Sequence, residues 1–449
     1  MTPKPTLASL AIDLASGRAS SRSLVEACLD RIEDPAGEGA KTFLLVDKRA
    51  VLAQADAMDL LRSSGAAPSR YAGIPISIKD LFDITGQVTR AGSTALKDRP
   101  VATRDAACVA RLRRAGFVLI GRTNMSEFAF SGIGMNPHYG TPRNPWERDQ
   151  ARVPGGSSSG AAISVTDLMA HAALGTDTGG SCRIPAAFTG LVGYKPTARR
   201  VPRTGAIPLS TSLDSVGPLA RSVACCASLD AVLAGEAPPD LSHRLVSGLR
   251  FAIPKTTVLE DMDTHVAAHF ERSLAQLADA GAHLEYLDIP EFNQLSQINA
   301  KGGISAAESF AWHRGLIESH AGEYDPRVLV RIQRGATQNA ADYIDLLVAR
   351  KAFIAAVEER IARFDALLLP TTPVIAPRIA DLAEDADFFR INGLALRNPS
   401  IVNFLDGCAI SIPNHSDAEP PTGLMLACRG GLDMQLFRCA AAAESVVGP

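Results

Sequence analysis

The chain has 449 residues, of which 46% are hydrophobic and 21% are charged, and its formal net charge is −3. This composition is typical of a globular protein, and the small net charge leaves no basic field for nucleic acid, so we expect no nucleic-acid partner. The longest apolar runs are too short to span a membrane, and the first residues lack the apolar segment of a signal peptide, so we expect no membrane partner and a cytoplasmic location.

Helices and strands alternate in the first part of the chain. One-sided apolar faces predict helices at Ser20–Ile32 and Ala50–Arg62. The segment Gly73–Ile84 is predicted to be a strand that runs into a turn. A predicted helix at Asp105–Ala115 then leads into an apolar strand at Phe117–Gly121. This alternation is typical of an α/β fold.

The same alternation of helices and strands continues after a Gly/Ser-rich loop within Arg152–Val165. The pattern there predicts the helices Gly160–Asp167, Ser222–Leu233, His265–Ala280 and Met434–Val446 and the strands Met169–Asp177, Leu249–Pro254, His283–Ile289 and Asp365–Pro370. The Pro- and Gly-rich segment Gly235–Gly248 is the best candidate for a domain boundary, but we expect it to be a surface connection within one domain.

Cysteine and histidine spacing gives no support to metal or disulfide chemistry. The eight cysteines are scattered without a C-x-x-C pair, which predicts reduced, buried thiols. The nine histidines show neither H-x-x-x-H nor H-E-x-x-H spacing. We therefore expect no metal site.

The loop RVPGGSSSGAAISV at Arg152–Val165 permits three interpretations. A phosphate-binding loop needs G-K-[ST], or G-x-G-x-x-G after a strand, and neither is present. A nucleophile elbow at Gly156–Gly160 would make Ser158 the reactive residue, but an elbow follows a hydrophobic strand, whereas the sequence here is polar and contains proline. The third interpretation places the reactive serine in the next Gly/Ser-rich turn.

That next turn, GTDTGGSCRIP at Gly175–Pro185, follows an apolar strand. Glycines let a backbone curl and leave its amides uncovered, so four consecutive N–H groups are predicted to converge on one oxygen and form an oxyanion hole. They belong to Thr178, Gly179, Gly180 and Ser181. Ser181, at the end of the turn, is then placed to attack a carbonyl carbon.

A nucleophilic serine needs a base, and neither turn contains a histidine. Lys79 lies near the end of the apolar segment GIPISIKD, so we expect it at the end of a buried strand. Burial disfavours the charged form of a lysine and makes it a better base. The alternative interpretation is a solvated or salt-bridged lysine beside Asp80.

Together these motifs resemble the amidase signature family. The resemblance rests on PGGSSSG, GTDTGGSCRIP and GIPISIKD and on the spacing between Ser157 and Ser181. Further similar stretches, such as GRTNMSEFAFSG, GLVGYKPT and LLLPTTP, extend it over nearly the whole chain. The resemblance implies one domain over residues 1–449, with a helical N-terminal segment of about 1–65 and a signature core of about 66–230. The implied fold is an α/β/α sandwich around a large, mixed, twisted β-sheet.

The resemblance also implies roles for individual residues. Ser181 corresponds to the nucleophile and Lys79 to the terminal base. Ser157 corresponds to a bridging serine that follows a cis peptide bond. We expect Ser158 to support the contact between Lys79 and Ser157. Asp177 and Arg183 flank the nucleophile turn, and we interpret them as a pair that fixes it.

The substrate environment is less closely specified. The family's substrate-facing stretch corresponds to Phe130, Ser131 and Gly132. Helical spacing puts Arg327, Arg331 and Arg334 on one face, which is either solvated or an anion-recognition patch for an acidic substrate. The chain departs from the family pattern at Cys408, Ala409 and the insert NHSDAE, and we expect these departures to reshape one wall of the pocket.

The predicted function is that of an amidohydrolase acting on a small carboxamide without a cofactor. One alternative is a carbamate or urea-type substrate, such as a biuret derivative. Another is the amidase component of a tRNA-dependent transamidase, which works in a complex. A non-catalytic binding module is disfavoured because Lys79, Ser157 and Ser181 are all present. The expected partner is the amide substrate. The sequence does not decide whether the chain forms a homodimer.

Overall fold

The computed structural model describes residues 5–242 and 245–448, and eleven strands within these ranges form one sheet. They are β1 (Phe43–Leu45), β2 (Pro75–Lys79), β3 (Val118–Thr123), β4 (Ala172–Asp177), β5 (Val192–Lys195), β6 (Ser215–Ala220), β7 (Arg250–Pro254), β8 (His283–Leu287), β9 (Ala366–Pro370), β10 (Cys408–Pro413) and β11 (Gly423–Cys428). Their order across the sheet is β1-β3-β2-β4-β6-β5-β10-β11-β9-β7-β8. The sheet is mixed, because β2 is parallel to β3 and β4, β7 is parallel to β8 and β9, and the other pairs are antiparallel.

Helices connect and cover the strands. They are α1 (Leu7–Ala15), α2 (Ser21–Glu33), α3 (Gly39–Thr42), α4 (Lys48–Ser63), α5 (Ala107–Arg114), α6 (Ser159–Thr166), α7 (Arg183–Thr189), α8 (Val223–Ala234), α9 (Thr264–Asp279), α10 (Leu295–Ile298), α11 (Gly303–His320), α12 (Pro326–Gln333), α13 (Ala340–Ile361), α14 (Asp385–Phe404) and α15 (Asp433–Val447). None of these described helices combines the length and the apolar character that crossing a membrane requires.

Both faces of the sheet are buried. Successive residues of a strand point to opposite faces, and along β11 Leu426 joins one hydrophobic core while Met425 joins another. The first core includes Phe437 of α15, and the second includes Phe353 of α13. Helices therefore lie on both sides of a mixed sheet, which confirms the predicted α/β/α fold.

All of the helices and strands predicted from the periodicity are present, with ends that shift by a few residues. The predicted helical N-terminal segment also contains a short edge strand, β1. The strands β5, β6, β10 and β11 were not predicted, because strands buried on both faces lack alternation and β6 contains Gly217 and Pro218, a pair typical of turns. Within the candidate boundary Gly235–Gly248, residues 243 and 244 lie outside the described part of the chain.

The sheet order brings two strand ends together. β2 and β4 are parallel neighbours, and Ile78 pairs in register with Leu174. Their carboxyl ends therefore meet at one edge of the sheet, where β2 ends at Lys79 and β4 ends at Asp177. Helix α6 packs against both strands and brings the loop before it to the same edge.

Candidate active site

Lys79 is fully buried at the carboxyl end of β2. Its Nζ donates hydrogen bonds to three hydroxyl oxygens: Ser157 Oγ at 2.7 Å, Ser158 Oγ at 3.0 Å and Thr176 Oγ1 at 2.8 Å. The structure thus brings together three residues predicted from sequence and adds Thr176, which was not predicted. The signal for Thr176 was its place in GTDTGGS, near the end of the predicted strand that leads into the turn of Ser181.

The surroundings of Lys79 weaken its hold on a proton. Burial lowers the pKa of Lys79 to about 8, because the ammonium group loses its hydration. The Asp177 and Asp214 carboxylates act in the opposite direction but do not outweigh burial. All three hydrogen-bond partners of Lys79 are neutral hydroxyls, so the amine lies in a site suited to its uncharged form.

Ser157 lies in the loop that leads into α6 (Ser159–Thr166). The Gly156–Ser157 peptide bond is cis, as the family resemblance implies. The Gly156 N–H donates to the Gly132 carbonyl at 2.8 Å, and the Ser157 carbonyl accepts from the Ser126 N–H at 3.0 Å. These backbone hydrogen bonds fix the loop with Ser157 Oγ against Lys79.

The turn after β4 is organised by the carboxylate of Asp177. Its oxygens accept the N–H groups of Gly180 at 2.9 Å and Cys182 at 3.1 Å. Gly180 has a φ of +131°, and a Cβ atom there would lie 2.6 Å from the Cβ of Pro399. The turn therefore requires glycine at position 180 for both conformation and space.

Three backbone N–H groups of the turn have no hydrogen-bond acceptor among the described residues, and we call these amides uncommitted. Within the described part of the chain, the N–H groups of Thr178, Gly179 and Ser181 donate no hydrogen bond. The structure differs from the sequence prediction at Gly180, whose N–H is directed to Asp177 and not to a shared oxygen. The side chain of Thr178 is anchored by donating to Asp214 Oδ1 at 2.5 Å.

Asp177 and Arg183 form a fully buried ion pair, as predicted. Arg183 Nε lies 3.0 Å from Asp177 Oδ2, and Nη2 lies 2.8 Å from Oδ1. Arg183 also donates to Pro399 O at 3.0 Å and to Asn403 Oδ1 at 2.6 Å. Burial alone would raise the pKa of Asp177, but the Arg183 guanidinium, together with Lys195 and a hydrogen bond from Asn403, holds it well below its usual range.

We expect Arg183→Met to lower the free energy of unfolding by about 3–5 kcal/mol, because it leaves the buried Asp177 carboxylate without its cation. Urea denaturation of the purified variant measures this loss. Arg363→Met is a matched control, since Arg363 pairs with Glu285 at an exposed site and should change stability little. Equal stability losses in both variants would contradict a special role for the buried pair.

Ser181 lies at the floor of a cavity of about 550 Å³ and is 3% exposed. Its Oγ makes no hydrogen bond within the described part of the chain. Phe130 and Ser131 line the same cavity. Gly132 does not line it; its N–H donates to Asn392 Oδ1 at 2.9 Å.

Two further sequence predictions have different outcomes. Cys182 packs inward as expected: it is fully buried, its Sγ contacts the Gly217 carbonyl at 3.5 Å, and burial raises the pKa of its thiol. The prediction that Cys408, Ala409 and the insert at 414–419 reshape a pocket wall is wrong for this cavity, since none of them lines it. The two residues of β10 are fully buried in hydrophobic cores on opposite faces of the sheet.

No cluster of three or more metal-ligating side chains is present among residues 5–242 and 245–448. The polar groups that line the cavity at Ser181 are hydroxyls, backbone amides, the Asn299 amide and the Arg334 guanidinium.

Comparisons with known proteins agree with this geometry. A sequence profile of the family described as Amidase matches residues 23–437. The chain is 37% identical to the 2-amino-5-chloromuconic acid deaminase of Comamonas testosteroni, with 88% of this chain and 86% of that protein aligned. It is 33% identical to a glutamyl-tRNA(Gln) amidotransferase subunit from Symbiobacterium thermophilum, with 96% and 94% aligned. A crystal structure of an amidase superposes with a TM-score of 0.90 at 30% identity and covers 99% of this chain and 100% of that one.

The matches confirm the resemblance seen in the sequence and the mixed α/β fold. They also confirm the prediction of a hydrolase that acts on C–N bonds, which fits a cavity lined by a free serine hydroxyl and uncommitted amides. The chain belongs to the amidase family.

Proposed function

We propose that this protein hydrolyses a small carboxamide through an acyl-enzyme, with Ser181 as nucleophile, Ser157 as proton relay and Lys79 as base. The observation that carries the proposal is the 2.7 Å hydrogen bond between Lys79 Nζ and Ser157 Oγ, buried beside the turn that bears Ser181. A lysine that is easily deprotonated activates a hydroxyl in the way histidine does in other hydrolases.

The proposed reaction begins when Ser181 Oγ attacks the amide carbon. Ser157 takes the Ser181 proton and passes its own proton to neutral Lys79, while the carbonyl electron pair moves to oxygen. The C–N bond then breaks, and the relay returns the proton to the leaving nitrogen, so ammonia or an amine departs. Water attacks the acyl-enzyme through the same relay, releases a carboxylic acid and restores Ser181.

The uncommitted amides are the proposed oxyanion hole. The N–H groups of Thr178, Gly179 and Ser181 are free to donate to the developing negative charge. Gly180 contributes indirectly, because its N–H binds Asp177 and so fixes the curvature of the turn. Ser158 and Thr176 hold Lys79 Nζ against Ser157 through their own hydrogen bonds.

Two variations use the same steps. A carbamate or urea-type substrate also has a carbonyl that bears a leaving nitrogen. The identity to a glutamyl-tRNA(Gln) amidotransferase component favours a second candidate function, in which the chain releases ammonia to a partner within a tRNA-dependent complex. The two candidates differ in whether the chain works alone.

The test is ammonia or amine release by the purified full chain from a panel of aliphatic, aryl and urea-type amides. We expect turnover by the chain alone, with a chelator making no difference. Turnover that required charged tRNA together with a partner protein would favour the transamidase. Failure of every amide, together with failure of a fluorophosphonate probe to label Ser181, would contradict the proposed function.

A further inference from the structure

The cavity at Ser181 has an uneven charge distribution. Its described lining consists of apolar side chains, glycines and neutral polar groups apart from one charged residue, Arg334. The neutral polar side chains are Ser131, Thr178, Ser181, Ser296, Asn299, Ser305 and Ser400. A cavity with one cation and no lining carboxylate is electrostatically complementary to an anionic ligand.

Arg334 is held at the cavity wall but keeps its charge uncompensated. It is the first residue of a short 3-10 helix, Arg334–Thr337, which directly follows α12 (Pro326–Gln333) in the sequence. Its Nη2 donates to the Ala300 carbonyl at 2.8 Å, which orients the guanidinium. Within the described residues it forms no ion pair, so donors remain for a ligand.

The other two arginines predicted to share this face have different surroundings. Arg327 is paired with Asp385 at 2.7 Å and is therefore compensated. The Arg331 guanidinium lies 5.0 Å from the ring centroid of Phe130, a residue of the cavity wall. Its Nη2 is buried and has no hydrogen-bond partner in the described part of the chain. Arg331 thus adds positive charge behind the wall that Phe130 forms.

Carboxylates line a larger cleft that adjoins the cavity. This cleft of about 1140 Å³ shares Leu295, Ser296, Asn299, Gly393 and Ser400 with the cavity. Its lining includes Glu260, Asp261 and Asp263, and Asp261 lies 3.7 Å from Arg397. The Asp177 and Asp214 carboxylates accept hydrogen bonds from the nucleophile turn, but neither lines the cavity, so Arg334 is the one charged side chain among its described lining residues.

We infer that the substrate is an amide whose acyl part carries a carboxylate, such as the monoamide of a dicarboxylic acid, and that Arg334 binds this carboxylate while Ser181 attacks the amide. This inference rests on the proposed function and names its substrate class. Arginine suits the role because its planar fork can donate two hydrogen bonds to one carboxylate. The volume of about 550 Å³ is within the range of sites for small molecules.

The test compares two matched substrate series on the purified full chain. The anionic series is succinamate, glutaramate and adipamate, and the neutral series is butanamide, pentanamide and hexanamide. We expect at least one monoamide to be preferred by about tenfold or more in kcat/KM, mainly through KM. Arg334→Gln should remove about tenfold or more of that preference and leave the neutral amides within about twofold, and Arg334→Lys should restore part of it.

Arg314→Gln is the matched control, because Arg314 is exposed, forms no ion pair among the described residues and lines a neighbouring groove of about 750 Å³ but not the cavity at Ser181. It removes the same charge and should leave both series unchanged. Three results would overturn the inference: no preference for any monoamide, equal losses on both series in Arg334→Gln, or an equal loss of preference in Arg314→Gln.

Failure of the proposed function gives a different result. In that case neither series is turned over and the fluorophosphonate probe leaves Ser181 unlabelled. Calorimetric titration with succinate, glutarate and adipate then tests the carboxylate site without catalysis. Binding that is weakened about tenfold by Arg334→Gln supports the site, and binding that is absent or unaffected by Arg334→Gln overturns it.

Discussion

The Ser181→Ala variant is expected to keep its fold and to lose about four orders of magnitude or more in kcat. The loss is large because the proposed mechanism gives the attack on the amide carbon to Ser181 Oγ alone. The fold should persist because Ser181 Oγ makes no hydrogen bond within the described residues, so its removal leaves no buried group without a partner. Steady-state kinetics on a turned-over amide and circular dichroism measure the two effects.

Ser158→Ala is the informative comparison for this variant. It removes one of three hydrogen bonds to Lys79 and leaves the nucleophile and the relay in place. We expect a loss of about 10- to 100-fold in kcat, the usual effect of one hydrogen bond to a charged or titrating group. Greater loss in Ser158→Ala than in Ser181→Ala, or labelling of Ser158 by a fluorophosphonate, would contradict the assignment of Ser181 and favour the nucleophile elbow.

The Lys79→Met variant should lose about three orders of magnitude or more in kcat, because Ser157 then has no base to receive its proton. Methionine is a close match in length and suits a fully buried position. Thermal unfolding of the variant separates loss of the base from loss of the fold. A folded variant that retained a tenth of the activity would contradict Lys79 as the base.

The same assignment determines the pH dependence of the wild-type enzyme. The reaction needs the neutral amine, and burial lowers the pKa of Lys79 from 10.5 to about 8. At pH 7 about a tenth of such lysines are neutral, against about 0.03% at the unperturbed pKa. We expect kcat/KM to rise about tenfold per pH unit below pH 7 and to level off above about pH 8. A flat profile between pH 6 and pH 9 would contradict this base.

Much of the site was predictable because each informative residue lies in a short and distinctive motif. Gly and Ser in two short turns indicate uncovered amides and reactive hydroxyls, and an apolar run before Lys79 indicates a buried strand end. The structure brings Lys79 and Ser157 into contact, although the catalytic roles of both residues remain our proposal. The ion pair of Asp177 and Arg183 was also predictable, since the two residues lie six positions apart at the ends of one tight turn.

Other features depended on how distant segments pack. Thr176 contacts Lys79 only because β4 lies beside β2 in the sheet, and sheet order is set by long-range pairing. The Gly180 amide binds Asp177 because the turn curls back on itself, a detail of dihedral angles that residue types do not specify. Arg334 reaches the cavity from a helical region far along the chain.

Residue order was enough to establish the family, the α/β class and the three residues proposed to transfer protons. Each of these depends on local chemistry: the periodicity of buried elements and the composition of short turns. Only the folded chain established which amides are uncommitted, which hydroxyls hold Lys79 and which charged side chain lines the cavity. These features arise where separate segments meet, and the order of residues along one segment carries no information about that contact.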